Sequence, residues 1–178
     1  MHEQHSQPSL GNLLGTVIIF MIVAAYGFIS LNTEDALWFL TKFEETPEEI
    51  VVFCYGTEKV VEPGTKQFTD LTALVNAAIS GRKNWDSLSM SDETYTYYQT
   101  DSAVLVLELR YPTTVRVHSL YKYFSHVGAF VIPLVGRHSQ TNAVFGRTGE
   151  EFTAGSLHIQ NISKMREYLS AEGICEVQ

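Results

Sequence analysis

An uncharged apolar stretch near the N-terminus constrains this chain more than any other feature. Residues 11–31 read GNLLGTVIIFMIVAAYGFISL and contain no Asp, Glu, Lys or Arg. As a helix rising about 1.5 Å per residue, Leu13–Leu31 spans about 28 Å, which matches the hydrocarbon core of a bilayer. Apolar side chains cover every face of this helix, whereas a core helix of a soluble protein normally keeps a polar stripe. The stretch therefore predicts a transmembrane helix over 13–31.

A cleaved signal sequence is the alternative interpretation of this stretch. Val23-Ala24-Ala25 supplies small residues at a plausible cleavage position. The preceding letters MHEQHSQPSLGN contain no Lys or Arg, although the first region of a signal sequence normally carries one. We therefore expect a short polar tail over 1–12 and a retained anchor over 13–31, with membrane lipid as a partner.

The orientation of the predicted span depends on the Lys and Arg residues that flank it. Lys42 is the one basic residue within about 20 residues of either end, so the positive-inside rule discriminates little here. An anchor that precedes a folded domain usually serves export. We therefore expect a single-pass protein of the cell membrane, with the N-terminus inside and the domain outside the cytoplasm.

Composition limits the partners of the rest of the chain. The 178 residues carry a net charge of -8, whereas nucleic acids and anionic surfaces are bound by faces rich in Lys and Arg. We therefore expect no nucleic-acid partner. A chain of this length holds one core, and the sequence predicts a single extracytoplasmic domain over 47–178.

A short juxtamembrane helix is predicted over 32–46, between the span and the domain. NTEDALWFLTKFEE offers Asn32 or Thr33 as the N-cap, with acidic residues in the first turn. Trp38 and Phe39 are candidates for the membrane interface, where amphipathic rings are enriched. Packing of the same two rings against the domain is the alternative.

Hydrophobic patterns predict the α+β class for the domain. A β-branched run at about 50–55, followed by a second run before Pro63-Gly64, predicts a hairpin. Apolar residues spaced three and four apart over 68–79 predict a helix, with Thr65 as its cap and Gly81 after its end.

The remaining segments predict a meander of antiparallel strands and a last helix. The strand candidates are TYTYYQT, AVLVLELRY, TTVRVHSLYKYF, VGAFVIPLVG and NAVFGRTGEEFT. Pro133 indicates a sheet edge or a bulge, and SLHIQNISKMREYLSAEG predicts a helix that ends at Gly173. The predicted fold is a transmembrane helix followed by a small α+β domain with a mostly antiparallel sheet and two or three helices.

A polar cluster is predicted around the second strand of this meander. Leucines at every second position of VLVLELR place Glu108 and Arg110 on the opposite face of the strand. If the letters YPTT form a turn, Arg116 and His118 of the next strand join them. Such a set can bind an anion or position an acid and a base, or it can be a group of surface ion pairs.

Cys54 and Cys175 form a possible disulfide. The bridge closes a loop of about 120 residues and is worth about 4 to 5 kcal/mol if the domain is exported. In a reducing compartment the two residues remain free thiols.

No motif for nucleophilic catalysis, phosphate binding or zinc binding is present in the sequence. We therefore assign no catalytic residue, no metal ligand and no cofactor, and expect that the protein is not an enzyme. The predicted function is protein-protein contact by an accessory or structural subunit of a membrane complex, with other membrane-protein subunits as partners. A membrane-tethered ligand-binding or sensing domain is the alternative, and an enzyme is the third possibility.

Overall fold

The computed structural model describes residues 10–81 and 83–176 of the chain. Its first element is a long helix, α1 (Leu10–Thr33), which confirms the predicted N-terminal apolar helix and extends it at both ends. Within α1, Thr33 is the buried residue. Residues 1–9 of the predicted polar tail lie outside the described part of the chain.

The domain contains eight strands and three further helices within the described residues, which confirms the predicted α+β class. In chain order these are β1 (Glu49–Cys54), β2 (Thr57–Val61), α2 (Lys66–Ile79), β3 (Asn84–Asp86), α3 (Asp92–Thr100), β4 (Leu105–Val115), β5 (Val127–Val135), β6 (Ala143–Thr148), β7 (Glu151–Phe152), β8 (Ser156–His158) and α4 (Ile162–Ala171). The strands lie in the order β2-β1-β4-β5-β6-β8-β3, and β7 pairs with β6. The recorded strand pairs are antiparallel, as predicted.

The sheet separates two apolar cores, because successive side chains of a strand point to opposite faces. Ile50, Leu107 and Ile132 belong to one core with residues of α2 and α4. Val51, Val106 and other residues on the opposite face form a smaller core with α3. The domain therefore has three layers, with the sheet between α2 and α4 on one side and α3 on the other.

Two local predictions are confirmed in detail. The hairpin of β1 and β2 runs from the pair Ile50 and Val61 to the pair Cys54 and Thr57. Thr65 caps α2 by accepting a hydrogen bond from the backbone N–H of Phe68 at 3.2 Å.

The predicted juxtamembrane helix over 32–46 is not formed. α1 continues to Thr33, and the chain then passes through turns and extended backbone to β1. The Asp35 carboxylate accepts the backbone N–H of Leu37, a local bond that favours a turn over a helix. Phe43 is buried against Phe130, so core packing holds this segment extended and outweighs its helical pattern.

The segment TYTYYQT was predicted as a strand, but it belongs to helix α3. Ser91 caps this helix by accepting the backbone N–H of Thr94 at 3.2 Å, and Asp92 and Glu93 occupy its first turn. Tyr98 is buried and Tyr95 half-buried beside the same core. A spacing of three residues puts both rings on the sheet-facing side of a helix, which alternation along a strand cannot do.

The letters YPTT were predicted as a turn, but they lie inside β4. Pairing with β1 ends at Arg110, and pairing with β5 shifts register between Arg110 and Val115. Pro112 therefore lies where the ladder is interrupted, so its missing N–H leaves no partner unpaired.

Pro133 lies at a register shift between β4 and β5, which confirms the predicted bulge, but β5 is a central strand and not an edge. The pairs recorded between β5 and β6 end at Val131, so Pro133 lies beyond them. Leu157, predicted on the last helix, lies on strand β8, and α4 begins at Ile162.

Candidate functional site

The predicted polar cluster is divided between two places in the structure. Glu108 and Arg110 lie on the sheet face that packs against α3. Arg116 and His118 contact the residues that follow α1. The reason is that β4 continues through the predicted turn, so the four side chains do not meet across a hairpin.

Glu108 is the centre of the first group and is completely buried. Arg110 Nε donates to its Oε1 at 2.8 Å, and the Tyr95 hydroxyl donates to its Oε2 at 2.7 Å. The guanidinium of Arg110 also binds Glu49 Oε2 at 2.6 Å. A buried carboxylate is expensive unless it is paired, and here both oxygens of Glu108 have partners.

Arg147, on β6, completes this group. It donates to the Tyr95 hydroxyl at 3.2 Å, and its guanidinium carbon lies 4.8 Å from the centre of that ring. Arg147 Nε is buried without a hydrogen-bond partner among the described residues. A cleft of about 260 Å³ lies beside Glu108, Arg110 and Arg147. Arg147 is therefore the one arginine of this group without a carboxylate partner among the described residues.

The pKa values of this group follow from burial and pairing. Burial raises the pKa of Tyr95, and its hydrogen bond to Glu108 raises it further. Burial lowers the pKa of Arg110, but Glu108 and Glu49 outweigh that effect and raise it above the ordinary value. Arg110 is therefore held in its charged form.

Sequence reasoning missed Glu49, Tyr95 and Arg147 as members of this group. Glu49 is opposite Arg110 in the β1–β4 register, a pairing that follows from the antiparallel sheet. Tyr95 and Arg147 approach from α3 and β6, so only the tertiary fold identifies them. If the segment 92–100 had been predicted as a helix, Tyr95 would have been expected on the side of that helix that faces the sheet.

The second group joins the domain to the end of α1, and we call it the junction. Arg116 Nη1 donates to the backbone oxygen of Glu34 at 2.8 Å. His118 Nδ1 lies 2.9 Å from the carboxylate of Asp35, which is 7% exposed. These contacts fix the first residues after α1 against the segment that follows β4.

The chain turns back along α1 at the junction. The Tyr26 hydroxyl donates to the backbone oxygen of Ala36 at 2.8 Å, and the Asp35 N–H donates to the oxygen of Ser30 at 3.1 Å. Residues 34–37 therefore lie beside the last two turns of α1. This geometry places the predicted interface residues close to the helix and not at the far side of the domain.

Trp38 and Phe39 line a groove of about 350 Å³ next to the junction. Phe39 is 52% exposed, and Trp38 is half-buried with its indole nitrogen lacking a partner among the described residues. Leu120 and Tyr121 form part of the same wall, and Lys83 supplies a cation. We refer to this feature as the junction groove.

Cys54 and Cys175 are joined in a disulfide, with their Cα atoms 5.8 Å apart. Cys54 ends β1, and Cys175 follows α4, where its N–H donates to Leu169 O at 3.1 Å. Both residues are buried at the edge of the larger core. The bridge therefore ties the end of the described chain to the first strand of the domain.

The histidines of the domain are hydrogen bonded within it. His158 lies between the Thr141 carbonyl, 2.6 Å from Nδ1, and the Asp86 carboxylate, 2.7 Å from Nε2. His138 Nδ1 lies 2.7 Å from the Tyr98 hydroxyl, and burial lowers its pKa. Within residues 10–81 and 83–176, no group of three His, Cys, Asp or Glu side chains is arranged to hold a metal ion.

Comparison with known proteins assigns no family to the chain. No protein-family model matches it, and neither a curated protein nor a solved structure does so. The geometry of the described residues offers three candidate sites, which are helix α1, the junction with its groove, and the Arg147 cleft.

Proposed function

We propose that the chain is a single-pass membrane protein whose acidic domain lies outside the cytoplasm and acts by contact as an accessory or structural subunit. Helix α1 carries this proposal. Among the described residues it is the one helix that is long and apolar enough to cross a membrane, and none of its most apolar 18-residue window is buried. A core helix of a soluble protein would bury that window, whereas a span presents it to lipid or to another helix.

The junction supports a fixed relation between the anchor and the domain. The bonds from Arg116, His118 and Tyr26 to residues 34–36 join the two parts without a flexible linker. A domain held in this way presents the same surface to neighbouring membrane proteins. Such presentation suits a subunit that acts by contact.

Retention of α1 is tested by the intact mass of the protein isolated from membranes. We expect a mass that includes Leu10–Thr33 and a protein that stays with membranes after a carbonate wash. A chain that begins at Tyr26 would show that the segment is a cleaved signal. The Tyr26→Phe variant keeps the apolar surface of α1 and removes only the hydroxyl. It is the control that shows whether this hydroxyl affects the retention of α1.

Topology is tested by a thiol reagent that does not cross membranes. A cysteine at Thr113→Cys, an exposed position on β4, is expected to react on intact cells. A cysteine at Ser6→Cys is expected to react only after lysis. The opposite pattern would place the domain in the cytoplasm.

The accessory role is tested by purification in a mild detergent. We expect other membrane proteins to co-purify, and variants of the junction to weaken that association. Isolation of the protein alone, with a small molecule bound, would contradict the accessory role.

Ligand binding in the Arg147 cleft is the second candidate function. It is favoured by the buried Nε of Arg147, which has no protein partner among the described residues. A small carboxylate or phosphate would supply one. Loss of a co-purified anion in Arg147→Lys, which keeps the charge but not the planar fork, would support this role.

A further inference from the structure

The position of the junction groove relative to the membrane follows from the turn after α1. Tyr26 precedes the last residue of α1 by seven positions, which is about 10 Å along a helix. Side chains lean toward the N-terminus of a helix, and the Tyr26 hydroxyl reaches Ala36 O. The turn that carries Trp38 and Phe39 therefore follows a segment packed beside the last two turns of α1, at the end of the predicted span that faces the domain.

The rim of the groove is apolar and exposed. It combines the turn after α1 with the loop after β4, and the exposed side chains at and beside it are Leu37, Phe39, Leu40 and Leu120. Leu120 is 57% exposed although the domain has two well-packed cores. Exposed apolar side chains of separate segments around one groove indicate a surface that is covered by a partner.

Lys83 gives the groove one polar function. Its ammonium binds backbone oxygens, Gly81 O at 3.1 Å and Thr41 O at 3.4 Å, and no ion pair joins it to a carboxylate of the described residues. Lys83 is half-buried, and this burial lowers its pKa. A half-buried ammonium with no carboxylate partner is available to an anionic group from outside the domain.

We propose that the junction groove binds a phospholipid of the membrane that α1 crosses. The upper part of an acyl chain lies against Phe39 and Leu120, and the phosphate pairs with Lys83. A phospholipid matches an apolar wall with one cation better than a soluble anion, which would leave the apolar rim uncovered. This inference rests on the proposed membrane anchoring of α1.

Tryptophan fluorescence in vesicles tests the proposal, because the chain has two tryptophans, Trp38 and Trp85. The Trp85→Phe variant leaves Trp38 as the sole indole and keeps an aromatic ring stacked on Tyr123. The full chain is reconstituted in phosphatidylcholine vesicles, with or without bromine on the acyl chains near the headgroup. We expect bromine to quench Trp38, and to quench it less when placed near the methyl ends.

Two groove variants separate binding from simple proximity to the bilayer. In the Trp85→Phe background, Lys83→Glu and Leu120→Asp are each expected to lose most of the quenching. Lys164→Glu, which makes the same charge change on exposed α4, is the matched control and is expected to keep it. Lys83→Gln removes the charge without reversing it. Thermal unfolding in detergent verifies that each variant is folded.

Each outcome decides one of the two proposals. Protein that does not float with the vesicles contradicts the anchoring of α1. Protein that floats but shows no quenching of Trp38 overturns the lipid site and leaves the anchor intact. Quenching that persists in Lys83→Glu and Leu120→Asp shows that Trp38 is only near the bilayer, and it also overturns the site.

Discussion

The hydroxyl of Tyr95 donates to the buried carboxylate of Glu108 at 2.7 Å and so joins helix α3 to the centre of the sheet. Glu108 lies between β1 and β5, opposite Val51 and Val131. The bond satisfies a carboxylate oxygen that water does not reach. It also fixes α3 in one position over the smaller core.

Tyr95→Phe is therefore expected to destabilise the domain by about 1 to 3 kcal/mol, because Glu108 Oε2 is left buried without a donor. Urea unfolding followed by circular dichroism measures the change. Tyr97→Phe, the same substitution on the same helix at a hydroxyl with no hydrogen-bond partner in the described part of the chain, is expected to change stability little. If the two variants lost equal stability, the loss would come from the substitution on α3 in general and not from the Tyr95–Glu108 hydrogen bond.

The junction pair of Asp35 and His118 predicts a local change. Asp35→Ala removes the acceptor of both the His118 bond and the Leu37 N–H bond. We expect faster hydrogen exchange over 34–40 and a stability loss of about 1 to 3 kcal/mol. Glu44→Gln, at an exposed ion pair with Lys42, is the control and is expected to have no measurable effect.

The disulfide between Cys54 and Cys175 predicts a large dependence on oxidation. It closes a loop across a sequence separation of 121 residues, so its loss is expected to cost about 4 to 5 kcal/mol in the chain-entropy model. Thermal unfolding with and without reductant measures this difference. The double variant Cys54→Ser with Cys175→Ser is expected to have a lowered melting temperature that does not change when reductant is added. Recovery of both peptides as free thiols from oxidised membranes would remove the bridge and one support for an outside location.

Asp86 predicts a loss of stability in acid. Burial raises its pKa, but bonds from Leu88 N–H, Ser156 and His158 outweigh that effect and lower the pKa below the ordinary value of an aspartate. A lowered pKa in the folded state stabilises the protein above the unfolded value, and this contribution disappears as the pH falls through the folded value. Unfolding free energies measured from neutral pH to below pH 4 are therefore expected to fall less steeply in Asp86→Asn. Glu150→Gln, in the exposed turn between β6 and β7, is expected to retain the wild-type slope.

The elements whose signals are local can be predicted from the amino-acid sequence. The uncharged run over 11–31 predicts α1, because a helix with apolar residues on every face has no polar side that could face water. The cap at Thr65 and the periodicity up to Ile79 predict α2, and the hairpin of β1 and β2 follows from its turn. These depend on neighbours within a few positions, so no knowledge of the fold is needed.

The identity of the sites depends on long-range packing, which the sequence pattern does not reveal. The alternation of Thr and Tyr in TYTYYQT is typical of a strand. The segment is nevertheless helical, because the helix buries Tyr98 against the sheet. The residues 32–46 support a helix by pattern, and burial of Phe43 holds them extended. Glu108 is recognisable as polar in the sequence. Its partner Arg110, however, also binds Glu49, which lies 61 positions earlier in the chain. The physical reason is that burial and ion pairing depend on long-range packing, which supplies more free energy than local propensity.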